Sequence, residues 1–180
     1  MEMLRMDHIT KIYPNGFVAN KDVTFAVNEG EIHSLVGENG AGKTTLMKIL
    51  FGMEDKQGGD IFIREQKVKI TSPLDAISKG VGMVHQHFML LNSLTVAENV
   101  VLGIEPMKNG LFDFEEAVVM TQKIADKYNF ALDARTRVKD LSVGQMQKVE
   151  ILKALIKGAR VLILDEPTAV LTPQETEELF

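Results

Sequence analysis

Gly37-Glu38-Asn39-Gly40-Ala41-Gly42-Lys43-Thr44 fits the pattern G-x-x-x-x-G-K-[ST] at each fixed position, the signature of a loop that wraps phosphate groups. Glu31 to Val36, just before it, is a short strand-like segment. Lys43 to Phe51, just after it, places Leu46, Ile49 and Leu50 at helical spacing, with Gly52 as a stop. The loop is therefore predicted to join a strand to a helix, where main-chain N–H groups at the helix N-terminus face an anion. Gly37, Gly40 and Gly42 allow close approach and positive φ. Lys43 is then placed to meet the β- and γ-phosphates, and the hydroxyl of Thr44 to ligate Mg²⁺.

Composition limits the remaining classes. A chain of 180 residues suits one domain, or one with a small insertion. It has no cysteine, so disulfides, iron–sulfur clusters and thiolate zinc sites are excluded. With 20 basic against 25 acidic residues, net −5, no bulk charge attracts nucleic acid. No apolar run approaches a membrane span, and Met1 to His8 does not read as a signal peptide. The reading is of a soluble protein whose membrane role, if it has one, comes through a partner.

Outward from the loop, strand and helix signals alternate. Met3 to Tyr13 and Val23 to Val27 read as strands, and Asp60 to Arg64 with Lys67 to Ile70 as a hairpin. Ser72-Pro73 opens a short helix that Gly80 closes, and Val81 to His85 is a buried strand. From Thr95 to Gly158 the signals are helical throughout. Thr95 with Glu98 caps Val96 to Leu102 before Gly103; Asp113 with Glu116 starts a helix to about Tyr128; a third helix follows Ser142 to about Lys157. Arg160 to Asp165 returns as a strand apolar from Val161 to Leu164, as in a parallel sheet covered on both faces. Thr172-Pro173-Gln174-Glu175 starts a helix in which the sequence halts, which suggests a piece of a longer protein.

Three further constellations carry chemistry. Val161 to Glu166 delivers Asp165 to the carboxyl edge of the sheet, where it can hold Mg²⁺, with Glu166 next to it to orient or deprotonate a water. A solvated turn or helix cap is the plainer reading of such a pair, and the phosphate loop tips the choice toward catalysis. Leu141-Ser142-Val143-Gly144-Gln145 reads as a helix N-terminus with a capping box from Ser142 to Gln145, itself suited to a γ-phosphate. Gln86 directly follows the Val81 to His85 strand, placed for Mg²⁺ or the attacking water. His85 and His87 beside it have no ligand spacing with His8 or His33 and read as structural or surface residues.

Together these segments resemble the ATP-binding cassette (ABC) ATPases, whose phosphate loop, glutamine loop, Leu-Ser-x-Gly-Gln signature and acidic strand stand in this order. The resemblance implies an α/β fold of the P-loop NTPase, RecA-like type. It has a parallel-sheet core, an N-terminal antiparallel β subdomain and a helical insertion, with β-rich and core residues at 1–87, helices at about 88–157 and a core return at 158–180. One cassette, incomplete at its C-terminus, is expected. ATP and Mg²⁺ are the implied cofactors. They are bound by Tyr13 against adenine, by Gly37, Glu38, Asn39, Gly40, Ala41, Gly42, Lys43, Thr44 and Thr45, and by Ser142, Gly144 and Gln145 acting across a head-to-tail dimer. Thr44, Gln86 and Asp165 would hold the metal, and Glu166 with Gln86 would be catalytic. Met83 to Leu90 and Glu166 to Glu175 look like the first cassette of sugar or nucleoside importers. Such a cassette is cytoplasmic, lies at the inner face of the membrane, shares its polypeptide with a second one and drives permease subunits docked near Phe88 to Ala134.

Three departures stand out. Val143 occupies a common glycine position, so its φ must be negative or strained. Thr172 replaces a common aspartate. The family's switch histidine would lie beyond Phe180, so the 180-residue chain is expected to bind nucleotide but turn ATP over poorly; robust turnover by the purified chain contradicts this. A DNA-repair or translation ATPase of the family would show coiled-coil insertions, zinc cysteines or basic linkers, and this sequence has none. A regulatory nucleotide-binding module would have little need of Glu166, and a small-molecule kinase no use for the signature.

Overall fold

The computed structural model describes residues 1–167, so Thr172 and the helix start around it lie outside the described residues. The chain divides after Gly82 into two compact units.

The first unit is built on a four-stranded antiparallel sheet. β1 (Glu2–Ile12), β2 (Val18–Asn28), β3 (Gly58–Ile63) and β4 (Gln66–Val68) are ordered β2-β1-β3-β4. Met6 stands opposite Phe25 on one side and Ile61 on the other, and Leu4, Met6 and Ile9 are fully buried. β3 and β4 are joined by Arg64 and Glu65, both at positive φ. That is the two-residue turn whose twist matches a hairpin, here formed without glycine. The first helix, α1 (Lys43–Leu50), buries Leu46, Ile49 and Leu50, the spacing expected of one apolar face. It stops at Gly52 (φ 74), where a Cβ would sit 2.6 Å from the carbonyl oxygen of Ser72. α2 (Pro73–Ser78) begins as predicted, with Ser72 Oγ accepting from the Asp75 N–H at 3.2 Å.

The strand expected over Glu31 to Val36 is absent: the segment has no ladder partner among the described strands, and Ile32 is 70% and Val36 93% exposed. Apolar residues supply strand propensity, but a strand exists only when a neighbour takes its N–H and C=O groups.

The second unit begins within β5 (Val81–Val84), which pairs with β8 (Val161–Leu164) in a two-stranded parallel sheet. β5 is buried at every position, whereas in β8 only Ile163 is, so the expectation of two covered faces holds for β5 alone. Between them lie α3 (Val96–Val100), α4 (Phe114–Lys127) and α5 (Val143–Ile156). Their starts follow the predicted caps. Thr95 and Glu98 form a reciprocal box, Asp113 Oδ1 accepts from the Glu116 N–H at 3.1 Å, and Ser142 and Gln145 form a second box. Val96, Val100, Ala125, Leu132, Val149 and Leu152 form the core of these helices. Leu152 is wholly buried there, so Leu152→Ala is expected to cost about 2–5 kcal/mol, read from the urea midpoint.

The all-helical expectation from Thr95 to Gly158 needs one correction. β6 (Met107–Lys108) and β7 (Leu111–Phe112) form a small antiparallel hairpin around Asn109 (φ 54) and Gly110 (φ 82). Asn-Gly is a strong hairpin signal, and the helical periodicity on either side obscured it. Among the described residues no helix is long and apolar enough to cross a membrane.

Candidate functional site

The phosphate loop ends where α1 begins, and its geometry follows from two glycines. Gly40 and Gly42 have φ of 85° and 84°, whereas Gly37 is not in the left-handed region. A Cβ on Gly42 would lie 2.2 Å from the Ala19 carbonyl oxygen, so only glycine fits there. Gly42 is also the N-cap of α1, and as it has no side chain it offers no capping oxygen of its own to that helix. The helices α2 to α5 are each capped by a side-chain oxygen, from Ser72, Thr95, Asp113 and Ser142. α1 has no acidic residue in its first turn either. Lys43 Nζ folds back to donate to the carbonyl oxygens of Gly37 (2.7 Å) and Glu38 (2.9 Å), and the Ala41 N–H donates to Glu38 O at 3.2 Å. The site thus combines an ammonium group with a helix N-terminus whose N-cap has no side chain. This donor set fits a polyphosphate, since an anion there completes the helix and gains from its dipole.

Tyr13 lies beside this helix, its Oη 3.5 Å from Thr45 Oγ1. The ring stacks on Phe17 at 6.3 Å between centroids, across a turn closed by Tyr13 N–H to Phe17 O, and Lys11 Nζ stands 4.9 Å from the Tyr13 centroid. Lys11 is buried and paired with Glu54 at 3.0 Å. Phe17, 53% exposed, offers a second flat apolar face that the sequence reading passed over. Asn20 was passed over too. Almost fully buried on β2, it donates from Nδ2 to Gly42 O at 3.2 Å, while its Oδ1 has no partner among the described residues. An asparagine inside a strand, where the type is depleted, is the signal that would have drawn attention to it.

The second unit places the other acidic and glutamine residues. The Asp165 N–H continues the β5–β8 pairing by donating to Val84 O at 3.1 Å, which fixes Asp165 at the strand end. Gln86 Nε2 donates to Glu166 Oε2 at 2.8 Å, so the two residues named as catalytic touch each other. Glu166 has φ of 50°, one of seven non-glycine residues at positive φ among the described residues. Arg64, Glu65 and Asn109 sit in hairpin turns and Asn129 just past α4, but Glu166 follows a strand and precedes Pro167. Proline disfavours the right-handed helical region for the residue before it, and a left-handed glutamate carries strain of the kind that collects at working sites. Glu166 is exposed, and it can accept a proton from a water on its solvent side.

At the signature, Ser142 Oγ accepts from the Gln145 N–H (3.2 Å) and Gln145 Oε1 accepts from the Ser142 N–H (2.9 Å). The Ser142 hydroxyl keeps its proton for an outside acceptor. Val143 is the first residue of α5 with negative φ, so the departure from glycine produces no strain. Gly144 is buried inside the helix start and Gln145 is half-buried, leaving Ser142 as the exposed polar group.

For a divalent ion, the residues named are Thr44 in the first unit and Gln86 and Asp165 in the second. A hydroxyl, an amide oxygen and a carboxylate are each oxygen donors of the type Mg²⁺ takes. Among the described residues no group of three or more His, Asp or Glu is placed to hold a metal.

A sequence model of the ABC transporter family matches residues 20–169. The guanosine import ATP-binding protein NupO of Bacillus subtilis is 50% identical over 178 residues, which are 99% of this chain and 35% of that protein. The glucose import ATP-binding protein TsgD13 of Haloferax volcanii is 47% identical over 207 residues, covering 98% of this chain and 37% of its own length. The chain thus spans about a third of these curated relatives. Among solved structures, the ADP conformation of an ATP-binding cassette of an ABC transporter superposes with a TM-score of 0.86 at 26% identity, over 99% of this chain and 74% of that one. The antiparallel sheet, the parallel pair and the helices between them are the α/β arrangement of that P-loop NTPase cassette. By the family match over most of its length and by its two close relatives, this chain belongs to the ABC transporter family.

Proposed function

We propose that the chain is the nucleotide-binding cassette of an importer, binding and hydrolysing ATP to drive a nucleoside or sugar through a membrane permease. The observation that carries this reading is the start of α1, with no side-chain cap, Gly42 in the left-handed conformation and the Lys43 ammonium poised within the loop. Gly37 to Thr45 would enclose the phosphates, with Lys43 exchanging two carbonyl contacts for phosphate oxygens, and Tyr13 would stack on the adenine. Bound Mg²⁺ would neutralise phosphate charge, held by Thr44, Gln86 and Asp165. Glu166 would orient the attacking water and take its proton, and the bond to Gln86 holds that carboxylate in place beforehand. Ser142 would donate to the γ-phosphate of a second cassette in a head-to-tail dimer, with Gly144 and Gln145 shaping the helix start behind it.

The relatives named for guanosine and glucose import support a nucleoside or sugar as cargo. On this reading residues 1–180 are one cassette of a longer polypeptide, its helical part at about 88–157 meeting the permease at the cytoplasmic face of the membrane. The test is uptake of guanosine or glucose into vesicles carrying the full-length polypeptide and its permease. Uptake should require ATP on the cassette side and vanish with Lys43→Ala; ATP-independent uptake contradicts the proposal.

A further inference from the structure

The stretch after Gln86 has no regular structure from His87 to Leu91, yet its backbone is gripped at two points. The Met89 N–H donates to Glu150 Oε1 at 2.5 Å, and Met89 O accepts from Lys153 Nζ at 2.8 Å. Glu150 Oε2 and Lys153 Nζ pair at 3.0 Å, so the two side chains act as one donor–acceptor unit. Two residues on, the Leu91 N–H donates to Asn99 Oδ1 at 2.8 Å and Leu91 O accepts from Asn99 Nδ2 at 3.1 Å. Side chains thus play the part of a neighbouring strand. A carboxylate as buried as Glu150, 8% exposed, persists only when its oxygens are occupied, and here both are. The Met89 side chain is 63% exposed, so it is the main chain of the loop that is held.

We propose that Glu150 and Lys153 are positioning residues that bind the Gln86 loop to the helix bearing Ser142, so that the two move as one piece. Both side chains project from α5, whose N-cap is Ser142, and eight residues of helix separate Ser142 from Glu150, about 12 Å. A displacement of Ser142 on engaging a nucleotide is carried along this rigid element to Met89 and so to Gln86, three residues away, whose amide touches Glu166. A helix transmits displacement over that length because its own hydrogen bonds resist compression, whereas an untethered loop would absorb it.

The consequence for turnover rests on the ATP-hydrolysis reading above; the tether itself does not. In the full-length polypeptide, amide exchange at Met89 should accelerate about 10- to 100-fold in Glu150→Ala, as expected when a bond to a charged group is lost. Turnover of ATP should fall about tenfold or more in kcat with KM for ATP within about twofold, because the phosphate loop is untouched. Glu150→Gln, which keeps a carbonyl oxygen for the Met89 N–H, should recover most of both losses. Lys153→Met, which spares that N–H bond but strips Glu150 Oε2 of its partner, should lower both kcat and the melting temperature, and Lys153→Arg, which keeps a cation there and so guards against a folding defect, should restore both. Unchanged Met89 exchange in Glu150→Ala overturns the tether. Equal changes in kcat and KM, or a kcat loss in Glu150→Gln as large as in Glu150→Ala, overturn its coupling role. Absent turnover in the unaltered protein is a failure of the ATPase reading, and the Met89 exchange arm still decides the tether.

Discussion

Lys43→Ala is expected to weaken ATP binding about 10²- to 10³-fold and to remove detectable hydrolysis, the scale seen when one preorganised donor to a developing anion is lost. The size of the effect follows from what surrounds the ammonium. In the structure Lys43 Nζ is held by two neutral carbonyl oxygens, Gly37 O and Glu38 O. Replacing these with phosphate oxygens converts neutral acceptors into charged ones, whose bonds are shorter and roughly twice as strong. No second cation in the loop can substitute, since Gly37 to Thr45 contains no other basic residue. Alanine is a good helix former at the first position of α1, so circular dichroism and melting should be nearly unchanged. Fluorescent-nucleotide titration reads the affinity and phosphate release the turnover.

Glu166→Gln should separate binding from chemistry. Phosphate release by the full-length polypeptide should fall about 10²- to 10⁴-fold, the range contributed by a positioned general base, while affinity for ATP stays within about threefold. Glutamine has the same length and the same left-handed backbone penalty, and its side-chain oxygen still accepts from Gln86 Nε2, so the geometry at 2.8 Å survives while the proton acceptor does not. Unchanged turnover would mean that the strained conformation of Glu166 serves structure alone and would favour a regulatory nucleotide-binding module.

The parts of this molecule legible in its sequence are those decided within a few residues. Caps at Ser72, Thr95, Asp113 and Ser142 all formed, because each depends on one side chain and an N–H three positions on. The phosphate loop was legible for the same reason: glycines at 40 and 42 take positive φ and the helix begins at Lys43. What failed was non-local or outvoted. Glu31 to Val36 has strand-forming residues, but whether it pairs depends on strands remote in sequence, and in the described residues it has none. The Asn109-Gly110 hairpin was a local signal overruled by helical periodicity on both sides. Phe17, Asn20, Glu150 and Lys153 escaped because their meaning lies in contacts: Met89 and Glu150 are 61 positions apart, and no spacing rule links them.

The sharpest single test is an amide-resolved NMR titration of the 180-residue chain with ATP and Mg²⁺. Saturable shifts should appear at Gly40 to Thr44 and at the Lys43 side chain, and Lys43→Ala should suppress them. Resonances of this loop that stay put at saturating nucleotide, or that shift equally without the lysine, would contradict the account.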